Sequence, residues 1–108
     1  MAIRQAIIEE IELLSSPSMQ LKYEENVPFA NIPAELVSGF TDLYHPKDAE
    51  FLAAFTSDEL RNIAHLYGLV CEASRDLPAK TMELQKVPEW RRVIALAKEL
   101  SAYFERYV

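Results

Sequence analysis

The chain has 108 residues, of which 50% are hydrophobic and 26% are charged. This length favours one domain with a modest core, and the composition excludes a disordered chain. Two glycines are too few for a turn-rich β-sandwich or for a glycine-rich phosphate loop. No apolar segment is long enough for a transmembrane helix, and residues 1–14 lack the apolar region of a signal peptide. The single cysteine fits a reducing compartment, so we expect a soluble, cytoplasmic protein.

The first half of the chain predicts three helices joined by short connections. Residues 2–14 have a helical stripe of apolar side chains, formed by Ile3, Ile7, Ile11 and Leu14. Ser16 and Pro17 suit the N-cap and first position of a short helix over about 17–25. Residues 26–33 are expected to be an irregular crossover whose apolar side chains, Phe29 among them, lie against the core. A third helix is predicted from Pro33 to about Leu43.

Gly39 lies inside this third helix, where it indicates a close approach of a neighbouring helix. A short helix is predicted from Asp48 to Phe55. Thr56 and Glu59 have the spacing of a capping box, which starts a core helix that runs to about Arg75.

The C-terminal part predicts one or two helical turns within 79–86 and a long helix from Pro88 to about Tyr107. The last helix has a buried stripe of six apolar residues: Trp90, Val93, Ile94, Ala97, Leu100 and Phe104. The whole pattern predicts an all-α fold, a single-domain bundle of about five helices over residues 1–108, two of them long.

Catalytic chemistry has little support in the sequence. His45 and His65 lack the additional ligands that a metal site needs. The glutamates of residues 9–12 are predicted on a solvent face, where nothing raises a carboxyl pKa for acid catalysis. Cys71 has apolar neighbours on its helix and is expected to be a buried structural thiol. We therefore expect a protein that is not an enzyme, with no catalytic residue, no metal and no cofactor.

A helix-turn-helix is the alternative interpretation of residues 60–77, with a turn at Gly68 and a second helix from about Cys71 to Leu77. That second helix would carry Glu72 and Asp76, and a negatively charged recognition helix repels phosphate. One continuous helix preserves the apolar stripe past the glycine and is favoured. We expect neither a nucleic acid nor a membrane as partner.

The charge is placed unevenly along the chain. Residues 1–60 contain eleven acidic and three basic residues, a net charge of −8, whereas residues 61–108 have a net charge of +2. An acidic half attracts a basic protein, and tyrosine among carboxylates supplies rigid apolar contact area. The predicted partner-binding residues are the following acids and tyrosine: Glu24, Glu25, Asp42, Tyr44 and Asp48, with Glu9 and Glu12 next.

Several segments share a pattern with a class of small bacterial proteins. They are Tyr23–Pro28, Ile32–Leu36, Asp42–Pro46, Phe55–Leu60 and Val87–Trp90. In these segments the chain resembles the small acidic immunity proteins encoded beside polymorphic toxins, including those of contact-dependent growth inhibition. The resemblance covers about residues 23–94 and implies an inhibitor of a basic toxin, such as a nuclease domain. The paired-tyrosine motif of the helical colicin immunity proteins is absent, so no binding residue is carried over.

A second hypothesis is a small homo-oligomeric helical protein of structural or regulatory function. It would use part of the apolar stripe on residues 88–107 as the interface between copies.

Overall fold

Helices make up almost all regular structure in the computed structural model, which describes residues 2–107 and the side chains of residues 2–106. Seven α-helices and one 3₁₀ turn occur in this range: α1 Ile3–Ser15, α2 Pro17–Asn26, α3 Ile32–Thr41, α4 Ala49–Ala53, α5 Ser57–Ala73, the 3₁₀ turn Ser74–Asp76, α6 Thr81–Leu84 and α7 Pro88–Tyr107. No strand is present in these residues. The all-α class is therefore confirmed, and α5 and α7 are the two long helices. The expected number of about five is slightly low, and the two shortest helices, α4 and α6, account for the difference.

The start of α5 confirms the capping box. The backbone N–H of Glu59 donates to Thr56 Oγ1 at 3.2 Å, and the Thr56 N–H donates to Glu59 Oε1 at 2.8 Å. From there α5 runs without a break through Gly68 to Ala73. The turn that a helix-turn-helix requires is thus absent from this segment.

The core lies between α1, α5 and α7, with α3 and α4 closing its sides. The predicted stripe of α7 is buried inside it, with Trp90, Val93 and Ala97 fully enclosed. This burial places the α7 stripe out of reach of a second copy, so it does not form the interface that the homo-oligomer hypothesis assigned to it. Burial of large apolar side chains supplies the main stabilisation of such a bundle.

A buried glutamine of α2 joins this helix to α1 and α7. Gln20 of α2 donates through Nε2 to the backbone oxygens of Leu13 and Leu14, both at 3.1 Å. Its Oε1 accepts from Trp90 Nε1 at 3.2 Å and from Gln85 Nε2 at 3.5 Å. Because carbonyls at a helix C-terminus lack partners within the helix, this side chain completes the end of α1 and fixes α2 against α7.

An ion pair joins α1 to α5. Arg4 Nη1 and Nη2 donate to the two carboxylate oxygens of Glu59 at 2.8 and 2.9 Å, and Nη1 also donates to the Ala54 oxygen. The guanidinium lies over the rings of Phe55 and Phe104. Arg4 holds the pKa of the Glu59 carboxyl below its usual range, and the Thr56 N–H acts in the same direction.

Three expectations about burial are wrong. Phe29 is 89% exposed, because the loop between α2 and α3 carries its side chain away from the core while Ile32 is buried. Cys71 is only partly buried, since its face of α5 lies at the margin of the bundle. Glu10 is partly buried, although the sequence predicts it on a solvent face.

Candidate functional site

A groove of about 470 Å³ lies between α1, α2 and α3. It is lined by residues of all three helices: Glu10 and Leu13 of α1, Met19, Lys22, Tyr23 and Asn26 of α2, and Glu35 and Gly39 of α3. We refer to this feature as the α1–α3 groove. Its volume falls within the range of about 300–1,000 Å³ that is typical of ligand sites.

The α2 wall of the groove follows from how α2 is anchored. Gln20 and Glu24 are one turn apart, and they fix one side of α2 to α1, α6 and α7. The groove-lining residues of α2 recur at positions i, i+3, i+4 and i+7, so they share the adjacent side of the helix. Met19 remains 49% exposed on this side, which leaves an apolar surface open to a partner.

The α1 wall carries a carboxylate withdrawn from water. Glu10 is partly buried, and within residues 2–107 no hydrogen bond or ion pair reaches its carboxylate. Burial raises the pKa of Glu10, and the neighbouring Glu9 charge adds to the rise. Desolvation disfavours the charged form of a carboxyl, and no donor of residues 2–107 offsets this effect at Glu10.

Gly39 leaves the space that the Glu10 carboxylate occupies. A Cβ atom at position 39 would lie 2.8 Å from Glu10 Oε2. The close approach that Gly39 predicts is therefore present, and the approaching group is the end of an α1 side chain. On the same α3 wall, Glu35 lies in the first turn and is exposed.

The groove therefore combines apolar walls with two carboxylates and one ammonium group. Lys22 is exposed, so its charge is in water. Phe29, the most exposed large apolar residue among those the structure describes, lies in the loop that connects the α2 and α3 walls.

Two of the predicted contact residues are half-buried and have structural partners within the chain. Glu24 Oε2 accepts from both N and Oγ1 of Thr81 at 2.9 Å, which caps the start of α6. The Tyr44 ring stacks on Tyr67 with centroids 4.3 Å apart and meets the Phe51 ring edge at 5.5 Å. Neither side chain is a free surface group.

The other predicted contact residues are exposed, namely Glu9, Glu12, Glu25, Asp42 and Asp48. Asp48 also caps α4 by accepting from the Glu50 N–H at 3.0 Å. Asp48 and Tyr44 share a surface pocket in the loop between α3 and α4, whereas Glu12 lines a separate cleft beside Phe104. The predicted residues thus lie on several parts of the surface, and none of them lines the α1–α3 groove.

Sequence reasoning missed Glu10 and Glu35 as members of a site. The sequence does contain a signal for this groove. Met19, Tyr23 and Asn26 recur on one side of α2, opposite Gly39 of α3.

No group of three or more His, Cys, Asp or Glu side chains in residues 2–107 is arranged to hold a metal ion. None of the helices in this part of the chain has the length and apolar character needed to cross a membrane. In comparisons with known proteins, no family model, curated protein or solved structure matches the chain.

Proposed function

We propose that this protein is a non-catalytic protein-binding module, an immunity-type inhibitor that neutralises a cognate bacterial toxin through its acidic surface. The partner would be a basic protein such as a toxin nuclease domain. The proposal includes action in the cytoplasm, where a reducing environment suits a chain with one cysteine.

The observation that carries this proposal is the unneutralised charge of the first sixty residues. Within the part of the chain that the structure describes, ion pairs occur between Arg4 and Glu59 and between Asp58 and Arg61. The other nine acids of residues 1–60 have no ion-pair partner there. Such a surface produces a negative field that accelerates association with a basic protein.

The location of the exposed acids supports the same function. Glu9 and Glu12 lie on α1, Glu25 lies on α2 and Glu35 lies on α3, so the three helices that form the groove also carry the charge. The groove and the exposed Phe29 add apolar contact area to this acidic surface. Charge that steers a partner and apolar area that holds it are the two components of a typical protein interface.

The test is co-expression with the toxin domain encoded by the neighbouring gene. We expect the toxin domain to arrest growth alone, and we expect this chain to restore growth and to copurify with the toxin domain. A toxin domain that is neither neutralised nor retained would contradict the proposal.

A charge variant then tests the surface itself. The triple variant Glu9→Gln, Glu12→Gln and Glu25→Gln removes three exposed acids of α1 and α2. We expect association with the toxin domain to slow at least about tenfold at low salt, and the difference to shrink at high salt. Glu24 is left intact because its loss would uncap α6.

A matched control makes the same change in charge elsewhere. Glu72, Glu83 and Glu99 are exposed residues of α5, α6 and α7, and their triple replacement by glutamine leaves α1–α3 untouched. We expect a much smaller effect on the association rate. Equal slowing by both triple variants would show that net charge, and not the α1–α3 surface, governs association.

A further inference from the structure

We propose that the α1–α3 groove binds an arginine side chain of the basic partner, with its guanidinium between Glu10 and Glu35 and its aliphatic part against Met19 and Tyr23. This inference rests on the proposed function, because it identifies the contact by which the acidic surface would hold a toxin. It concerns residues that the charge pattern alone does not single out.

The first argument is the state of Glu10. Its carboxylate is half-buried beside Gly39 on the α1 wall of the groove, and no donor within residues 2–107 contacts it. Gly39 keeps open the space in which the carboxylate lies. A cation that enters the groove supplies the missing donors and compensates the cost of desolvation.

The second argument selects arginine over lysine. Glu10 and Glu35 come from different walls of the groove, and a guanidinium presents five donors in a planar fork that suits two acceptors. The guanidinium is also less strongly hydrated than an ammonium group, and it stacks on aromatic rings such as that of Tyr23. The apolar surface of Met19 and Leu13 matches the three methylenes of arginine.

The third argument concerns the edges of the groove. Lys22 is the one base among the lining residues. Its ammonium group is exposed, so solvent screens its repulsion of a bound cation. Phe29 lies in the loop that joins the α2 and α3 walls and is 89% exposed, which adds apolar area to this part of the surface. Interfaces typically surround a central anchor with contacts of this kind.

The experiment uses the full chain and a defined probe, N-acetyl-arginine amide, followed by NMR. We expect saturable shifts of the backbone amides of Asn26 and Gly39 at millimolar probe concentration. N-acetyl-citrulline amide has nearly the same shape without the charge, and it should cause no saturable shift. Equal shifts from the two probes, or shifts centred outside the groove, would overturn the inference.

Variants identify the groups that hold the probe. The double variant Glu10→Gln and Glu35→Gln should weaken arginine binding at least about tenfold, and Lys22→Gln should tighten it. The control pair Glu83→Gln and Glu99→Gln has the same net charge as the first variant and should bind like the wild type. Amide spectra of each variant verify that the fold is retained. An unchanged affinity in the double variant would contradict the assignment.

The same variants separate this inference from the proposed function. If the Glu10→Gln and Glu35→Gln protein neutralises the toxin as well as the wild type, the inhibitor proposal stands and the groove assignment is overturned. If arginine binds the groove of a protein that neutralises no toxin, the groove assignment is supported and the inhibitor proposal is contradicted.

Discussion

Glu59 is buried and Glu10 is half-buried, and the two carboxylates differ in the hydrogen-bond donors that reach them. Glu59, at the start of α5, receives two hydrogen bonds from Arg4 and one from the Thr56 backbone, and its pKa is lowered. Glu10, in the middle of α1, receives none from the described residues, and its pKa is raised. Burial alone therefore does not distinguish a structural carboxylate from one that is available to a partner. The supply of hydrogen-bond donors to the carboxylate does distinguish the two.

Replacing Glu59 should have the largest effect on stability. Glu59→Gln leaves Arg4 without its charged partner and weakens the capping box at the start of α5. We expect the free energy of unfolding to fall by about 3 kcal/mol, measured by urea denaturation at pH 7. Asp58→Asn is the control, because its ion pair with Arg61 is exposed, and it should change stability by at most about 0.5 kcal/mol. Similar losses in both variants would contradict a special role for Glu59.

The next largest effect on stability is expected at Gln20, a neutral side chain that, like Glu59, has several hydrogen-bond partners. Gln20→Leu removes the acceptor of Trp90 Nε1 and the donor to the Leu13 and Leu14 oxygens. Unpaired buried polar groups cost about 1–3 kcal/mol, so we expect a loss of about 2 kcal/mol in the same measurement. Gln5→Leu, at an exposed position of α1, should stay within about 0.5 kcal/mol of the wild type. A Gln20 variant as stable as the wild type would show that these hydrogen bonds are dispensable.

The fold was largely predictable because it depends on local patterns. The apolar stripe of α7, the Thr56 capping box and the proline positions each specify an element through residues close in sequence. The exposure of Phe29 was not predictable in this way, because exposure of an apolar residue in an irregular segment depends on where the flanking helices are anchored.

The groove was less predictable than the helices, for a related reason. It exists because Gln20 and Glu24 fix α2 to residues some 57 to 70 positions away along the chain. No local pattern encodes such pairings. Glu24 illustrates the consequence, since its position in an acidic segment predicts a surface contact and its carboxylate caps α6.

The two glycines test how tightly the groove is built around Glu10. Both lie inside helices, where alanine is favoured over glycine by about 1 kcal/mol. Gly68 has open space where a Cβ would be placed, so Gly68→Ala should stabilise the protein by about that amount. Gly39→Ala should gain less, because its Cβ displaces the Glu10 carboxylate. Thermal or urea unfolding measures both, and equal gains would show that Glu10 moves aside without cost.

The smallest expected effect is the pH dependence that separates the two carboxylates. The lowered pKa of Glu59 gives stabilisation that is present above the usual carboxyl pKa and is lost as the pH falls through the folded-state value. The raised pKa of Glu10 acts in the opposite sense, because its contribution is present at low pH and is lost as the pH rises through the folded-state value. As the pH rises from 3 to 7, the stability of Glu10→Gln relative to the wild type should therefore increase, by no more than about 1 kcal/mol. The stability of Glu59→Gln relative to the wild type should decrease over the same range.

Urea unfolding of both variants at several pH values measures this divergence, with the exposed Glu12→Gln as control. The control curve should run nearly parallel to that of the wild type. If the Glu10→Gln curve also runs parallel, the Glu10 carboxylate is solvated as an ordinary surface group. It would then lack the uncompensated charge on which binding of a guanidinium depends, and the contrast with Glu59 would reduce to a difference in exposure.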